Sequence, residues 1–590
     1  MFEWGGKVSM NTCKGKSEAW KRIFIVLLAA FGAVVFVSFI TTPLAGDIKV
    51  FIAAENQVKF KDTNGLRAVF EAWELKGIAN RLFMYLLYRA AEKFVTYGDI
   101  VQFEIAVKFI YGIVMVIVMT ATALMISDER IRRAEVFFME FVAVFATYTA
   151  SQMQTEMTAV VLSFFVSACL IREKRWSSII AGITGAFLLF FKSILIVLFL
   201  AAVLGAVLYK GVENTEKKNI ICAVSVMAVS EILLAGFVGI YYPQEFRDMS
   251  LASELQATLF SAGSAVSLDS IWNHFTNWFT QSVVAIPFLL IGVASTEILV
   301  IGYLKRREWM EMALLLSMWI LVIDIIVVSN KYFIYHYFLL VLPGLISVLI
   351  VTKKEKVHGL AVSAGGFSAF LFTLVCWGMK DGYKQTGIIN YSTVLLVIIH
   401  VLFLFSFYSE GLKYLKNISI YVLLTVCAFF WMNYSSLISP KYRSLKNLSS
   451  TSEQICKAAA IPADFSKEPV LFLDDGTAPF YMDAPSYSRY FFNLPMQRWS
   501  EGDAWDIQKK EYERLMQYDG KYIVYSGWFG IDKYPQLKDK IDTEYERLEN
   551  SGLFLYSPDW NVFSLSGPPD AKSVHSGSGT CILVRKPDKK

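Results

Sequence analysis

Apolar residues in this chain fall in blocks of about 17–24, the length that crosses a bilayer core. The blocks read as spans at Ile23–Thr42, Ile100–Ile126, Val136–Ala150, Met157–Ile171, Ser178–Phe190, Ser193–Tyr209 and Ile220–Tyr241. They continue at Ser282–Leu304, Met312–Val328, Phe333–Val351, Leu360–Gly378, Thr393–Phe407 and Ile418–Tyr434. That makes about thirteen transmembrane helices. Every second loop is basic. The basic groups are Arg130, Arg132 and Arg133; Arg172, Lys174 and Arg175; Lys210, Lys217 and Lys218; Lys305, Arg306 and Arg307; Lys353, Lys354 and Lys356; and Lys413 and Lys416. The N-terminal tail adds Lys7, Lys14, Lys16, Lys21 and Arg22. If every span is counted, all of these fall on one side, which the positive-inside rule makes the cytoplasm. An odd number of spans then puts the N-terminus inside and the C-terminus outside a plasma membrane.

Three regions between and after the spans are large and fall on the outer side. The first, about 45–99, mixes apolar and charged residues at helical spacing over Ile48–Val58, Leu66–Leu75 and Ile78–Phe94, which predicts helices lying in the interface plane. The second, Tyr242–Gln281, carries Trp272 and Trp278, residue types suited to an interfacial belt. The third is the tail. It reads as a soluble α/β domain with strands at Val470–Leu473, Tyr522–Tyr525 and Cys581–Val584. A hairpin is predicted from Leu553–Tyr556 and Val562–Leu565, and helices at Trp505–Tyr518 and Leu537–Asn550. The expected organisation is a membrane part over 1–438 and an extracytoplasmic α/β domain over 439–590. The first segment is too long for the apolar core of a signal peptide and has no small-residue cleavage site, so it reads as a retained anchor.

Composition agrees. The chain is 55% hydrophobic and only 18% charged, against about 25% charged in a soluble protein. Its net charge of +5 does not point to nucleic acid, because the Lys and Arg are spread between apolar blocks. The seven Cys form no CxxC or Cys/His cluster, so there is no metal signal; Cys456 and Cys581 are the two in the tail, where a disulfide between them is open.

Four stretches carry a resemblance. Gly46-Asp47-Ile48-Lys49-Val50-Phe51 follows the first span. Ser151-Gln152-Met153-Gln154-Thr155-Glu156 precedes Met157–Ile171 and the basic turn Arg172-Glu173-Lys174-Arg175. Ala181-Gly182-Ile183-Thr184-Gly185-Ala186 leads to Phe191-Lys192-Ser193, and Lys331-Tyr332-Phe333-Ile334-Tyr335-His336-Tyr337 enters a later span. Together with the layout, these resemble integral membrane glycosyltransferases of the GT-C type, which include protein O-mannosyltransferases, the aminoarabinose transferase of lipid A and oligosaccharyltransferases. The first loop has one Asp where such enzymes often have a pair. The tail lacks a Trp-Trp-Asp tripeptide, which argues against an oligosaccharyltransferase.

The resemblance implies transfer of a sugar from a polyprenyl-phosphate donor to a lipid, glycan or protein acceptor at the outer face, by inverting displacement. A carboxylate would take the acceptor proton and cations would stabilise the leaving phosphate. Asp47 is the first candidate for the carboxylate and Glu156 the second; Asp47 can instead be a helix N-cap, and Glu156 a solvated loop-end residue or an N-cap. For the phosphate the candidates are Lys76, Arg81, Lys192, Lys331 and His336, with Tyr335 beside the histidine. Lys192 interrupts an apolar stretch, where a charge is costly unless used; its other reading is snorkelling to head groups. His336 can equally be structural, and Arg81 can bind anionic lipid. In the tail, Arg489 sits in an aromatic loop, Tyr481–Phe492, suited to sugar stacking and anion pairing. No cofactor is specified; a divalent metal ion working with Asp47 stays open. The competing classes are a transporter or flippase of a lipid-linked substrate, for which no matching halves are visible, and a membrane polysaccharide polymerase or ligase.

Overall fold

The computed structural model describes residues 23–61 (24, 31, 34, 38, 41–43 and 45 apart), 65–71, 77–97, 100–147 (146 apart), 153–192 (154 apart), 195–247 (244–245 apart), 286–328 (287 apart), 334–354, 462–488 (463 and 475–477 apart), 505–526, 529–548 and 580–587. The expected spans Leu360–Gly378, Thr393–Phe407 and Ile418–Tyr434, the tail hairpin, and nearly all of the Tyr242–Gln281 region lie outside these residues.

The membrane part is helical. It comprises α1 (Ile25–Val37), α2 (Gly46–Asn56), a 3-10 turn (Gln57–Phe60), α3 (Leu66–Glu71), α4 (Ile78–Glu92), α5 (Ile100–Ile126) and α6 (Arg130–Phe145). Then come α7 (Thr155–Ile171), α8 (Arg175–Phe191), α9 (Ile196–Lys210), α10 (Lys217–Tyr241), α11 (Phe288–Arg306), α12 (Trp309–Val328), a 3-10 turn (Ile334–Leu340) and α13 (Val341–Lys354). Gln102–Ile126, Lys217–Tyr241, Trp309–Ile326 and His336–Lys354 are long and apolar enough to cross a membrane, and shorter apolar helices accompany them. The chain is a multi-pass membrane protein.

The bundle is built around α7, which packs against α5, α8, α9, α13 and the Ile334–Leu340 turn. Its burial on almost every face, including Glu156, Thr158, Ser163 and Ser167, marks it as a core helix. Two of its polar groups find partners inside the bundle: Thr158 shares a 2.9 Å hydrogen bond with the Tyr111 hydroxyl, and Ser167 donates to the Ala202 carbonyl at 2.8 Å. Between membrane helices small residues allow close contact. A Cβ added at Gly182 of α8 would lie 2.5 Å from the Ala223 carbonyl of α10. The far side of α10 is exposed and apolar, with Ile232, Leu233 and Ile240 outward, as expected of a lipid-facing surface.

The basic loops meet at one end. Arg172 donates to both oxygens of Asp128 at 3.0 Å, and Lys210 pairs with Glu173 at 2.7 Å. Arg132 reaches Glu135 at 2.9 Å and Thr352 at 2.8 Å. The first loop is less exposed than its pattern suggests. Helix α2 is buried from Ile48 to Asn56, because α4 packs on one side and the tail on another. Charges that look amphipathic in sequence are enclosed here: Arg81 is buried with its Nη1 3.0 Å from Glu55 Oε1 and its Nη2 donating to the Val69 carbonyl at 3.0 Å.

The tail holds a four-stranded sheet ordered β1-β2-β4-β3, from β1 (Leu471–Leu473), β2 (Tyr522–Ser526), β3 (Tyr545–Arg547) and β4 (Thr580–Arg585). β1 and β2 are parallel, with Phe472 opposite Val524; β4 runs antiparallel to both β2 and β3. Alternation of side chains sorts the core into two layers. Phe472, Val524 and Ile582 face one way, and Leu471, Leu473 and Ile523 the other. The short α14 (Ala478–Tyr481), α15 (Trp505–Met516) and α16 (Pro535–Glu544) flank the sheet. The expected helix Leu537–Asn550 is corrected: it starts with Pro535 in its first turn and ends at Glu544, and Tyr545–Arg547 becomes a strand. Pairing with Leu583–Arg585 satisfies that backbone and buries the Tyr545 ring, which outweighs the helical period.

Candidate functional site

Three elements bring their ends together at the first turn of α7. Helix α8 stops at Phe191, and Lys192 follows in extended conformation (φ −164°, ψ 119°), so the apolar stretch breaks at Lys192. The turn Ile334–Leu340 presents His336 ahead of α13. Glu156 stands in the first turn of α7. Its Oε1 lies 3.0 Å from Lys192 Nζ and 3.3 Å from His336 Nδ1, and its Oε2 accepts the Thr155 hydroxyl at 2.8 Å. The Glu156 carboxylate is buried, whereas the Lys192 side chain is 34% exposed. Helix ends reinforce both charges: a carboxylate in a first turn and a cation just past a last turn each gain about 0.3–1 kcal/mol from the macrodipole.

An ammonium has three donors. Glu156 engages one of those of Lys192, so the exposed side of the group can meet an anion. Lys192 offsets the charge of Glu156, and the cluster becomes net positive when His336 is protonated. Such an arrangement can hold a phosphate next to a fixed carboxylate. Among the described residues, no group of three or more His, Cys, Asp and Glu side chains comes together as a metal site.

Aromatic rings support the cluster from the first loop. Phe83 of α4 lies 6.2 Å from Phe191 and 6.1 Å from Tyr111, ring centre to ring centre. Gly77, at the start of α4, approaches the end of α8 so closely that a Cβ there would lie 2.0 Å from the Phe190 carbonyl oxygen and 2.8 Å from that of Phe191. The first loop therefore rests on the backbone immediately before Lys192.

Of the residues singled out in the sequence, Glu156, Lys192 and His336 are brought together. Asp47 lies in the first turn of α2, and Tyr335 in the same turn as His336. Arg81 is engaged inside the first loop by Glu55 and Val69. Lys76, Lys331 and Arg489 lie outside the described residues. Burial pushes the Glu55 carboxyl up to about 7, against the opposing pull of Arg81. Sequence reasoning missed Thr155, Gly77 and Glu55. A hydroxyl next to a first-turn glutamate was the visible signal for Thr155, whereas the roles of Gly77 and Glu55 depend on distant contacts.

No family model matches the chain, and no curated protein matches it in sequence. Solved structures do. ArnT from Cupriavidus metallidurans bound to undecaprenyl phosphate aligns over 95% of this chain and 97% of its own, with 14% identity and a TM-score of 0.50. The same protein in the apo state aligns over 89% and 95%, with 12% identity and a TM-score of 0.47. At such identity the likeness speaks for architecture alone: the chain has a fold similar to that of ArnT.

Proposed function

We propose that the protein is a membrane glycosyltransferase that takes a sugar from a polyprenyl-phosphate donor. The observation that carries this reading is the convergence of Lys192 and His336 on the Glu156 carboxylate. It places a partly exposed cation, fixed in position, at the junction of three elements in a GT-C-like fold. The likeness to a structure bound to undecaprenyl phosphate supports a lipid-linked donor.

In this reading Lys192 and His336 bind the donor phosphate, and Glu156 holds both groups in place. Lys76, Lys331, Tyr335 and Arg489 remain candidates for further donor or acceptor contacts. The acceptor hydroxyl oxygen attacks the anomeric carbon from the face opposite the phosphate. The bond from that carbon to the phosphate oxygen breaks, and the electron pair leaves with the polyprenyl phosphate. The hydroxyl proton passes to a carboxylate, for which Asp47 is the first candidate and Glu156 the second. Charge growing on the leaving phosphate is met by preorganised cations. The first loop and the C-terminal domain lie on the outer side of the plasma membrane, with the basic loops in the cytoplasm.

The test is transfer itself. Purified protein in lipid is incubated with labelled polyprenyl-phosphate sugars and candidate lipid, glycan or protein acceptors. Labelled acceptor and released polyprenyl phosphate in equal amounts are the expected result. Movement of intact donor across the bilayer without transfer would replace this reading with that of a flippase.

A further inference from the structure

The C-terminal domain is fastened to the first loop by a clasp whose centre is a single buried amide. Asn56, the last residue of α2, is fully buried. Its Nδ2 donates to Asp483 Oδ1 at 2.7 Å, and its Oδ1 accepts the Tyr88 hydroxyl of α4 at 2.8 Å. Lys59 also reaches Asp483. The next residue, Gln57, grips the tail backbone from both directions: its Nε2 donates to the Ala484 carbonyl at 2.8 Å, and its Oε1 accepts the Ser486 N–H at 2.7 Å. Tyr97 completes the contact by donating its hydroxyl to the Phe480 carbonyl at 2.9 Å.

The tail side of the clasp is rigidly supported. The Asp474 carboxylate at the end of β1 accepts the Ala478 N–H at 2.8 Å, which holds α14 against the sheet. Val470 N–H donates to the Pro485 carbonyl at 2.8 Å and Tyr487 N–H to the Val470 carbonyl at 2.9 Å, so the segment around Asp483 returns to the sheet edge. On the loop side, α2 is a short helix whose first turn carries Asp47 and whose last residue is the clasped Asn56. A rigid helix passes a displacement at one end to the other.

We propose that the Asp483–Asn56 hydrogen bond makes the C-terminal domain a positioning element for α2, fixing the helix that carries Asp47. The inference rests on the transfer reading for its catalytic consequence, though the clasp can be measured without it. Asn56 and Asp483 act through α2 and are positioning residues. Residues 481–488, the described part of the aromatic stretch Tyr481–Phe492, serve as the docking tongue of the domain.

The experiment uses the full-length protein in lipid nanodiscs, with Asp483→Ala and Asp483→Asn. The asparagine keeps an oxygen to accept from Asn56 but loses the charge facing Lys59. Hydrogen exchange is followed over residues 50–56, and kcat and KM are measured with a polyprenyl-phosphate sugar. Asp483→Ala is expected to lose protection in α2 and to lower kcat by about 10²-fold, the scale of a misplacement of about an ångström, while the donor KM stays unchanged. Asp483→Asn is expected to restore both. Unchanged exchange or unchanged kcat in Asp483→Ala overturns the proposal. Equal losses in the two variants also overturn it, by moving the effect to the Lys59 charge. Faster exchange together with no transfer by the unsubstituted protein overturns the transfer reading and leaves the clasp standing.

Discussion

Lys192 Nζ and His336 Nδ1 meet on the same oxygen of Glu156, at 3.0 and 3.3 Å, although 144 residues separate the two in the chain. One buried carboxylate thus sets the position of two nitrogen groups from different elements. This relationship ties the start of α7 to the residue after α8 and to the turn ahead of α13.

Removing Lys192 should be felt mainly in donor binding. Lys192→Ala is expected to weaken affinity for a polyprenyl phosphate by about 1.5–3 kcal/mol, the scale of a hydrogen bond to a charged group. Glu156→Gln should keep the shape but loosen Lys192 and His336, giving a smaller loss. Titration of the lipid phosphate against each variant measures both. Wild-type affinity in Lys192→Ala would remove that residue from the phosphate site.

Asp47→Asn separates catalysis from a structural role in the first turn of α2. Asparagine keeps the size of the side chain and gives up only the charge at the helix N-terminus, about 0.3–1 kcal/mol, so thermal stability should nearly hold. Transfer should fall by about 10²–10⁴-fold, because the amide cannot accept the proton. Single-turnover transfer with bound donor gives the number. Normal transfer would leave Asp47 as a first-turn helix residue only and make Glu156 the first candidate for the base.

Gly77→Ala tests the seat of the first loop on α8. The new methyl would meet the Phe190 and Phe191 carbonyls at 2.0 and 2.8 Å, and backbone atoms cannot swing aside. Either α4 or the end of α8 must move, at a cost of about 1–3 kcal/mol for overpacking. A lowered melting temperature in detergent and weaker donor binding are both expected, since Lys192 follows directly. An alanine variant that melts like the parent would show that the approach is looser than the structure has it.

Acid should weaken the C-terminal domain through Asp464. Hydrogen bonds from Lys521 and from the Tyr522 hydroxyl, the latter at 2.7 Å, hold its carboxyl down at about 2, below the usual 3.8. The depressed value means the folded state binds this proton less readily than the unfolded chain. The contribution to stability is therefore fully present above about pH 4 and is lost as pH falls through 2. Melting temperature followed from pH 6 to pH 2 should drop less in Asp464→Asn than in the parent. Parallel curves would show that the pair adds nothing.

Local composition determined a good deal of this protein. Apolar length and alternating basic loops were sufficient for a multi-pass helical membrane part followed by an α/β tail, because bilayer thickness and charge asymmetry act on each segment separately. The same logic singled out Lys192, since an ionisable group in an apolar stretch stands out wherever it points, whereas His336 stood out through the resemblance of its Tyr-His stretch. Pairing was another matter, because a partner is chosen in three dimensions. Arg81 resembled a surface cation and lies buried against Glu55, and the helical pattern beyond Glu544 gave way to a strand because β4 was there to receive it. Asn56 and Asp483, 427 residues apart, carry no local mark of their contact. Only the folded chain decides which charges meet, since a buried polar group takes its partner from whatever packing brings within hydrogen-bond reach.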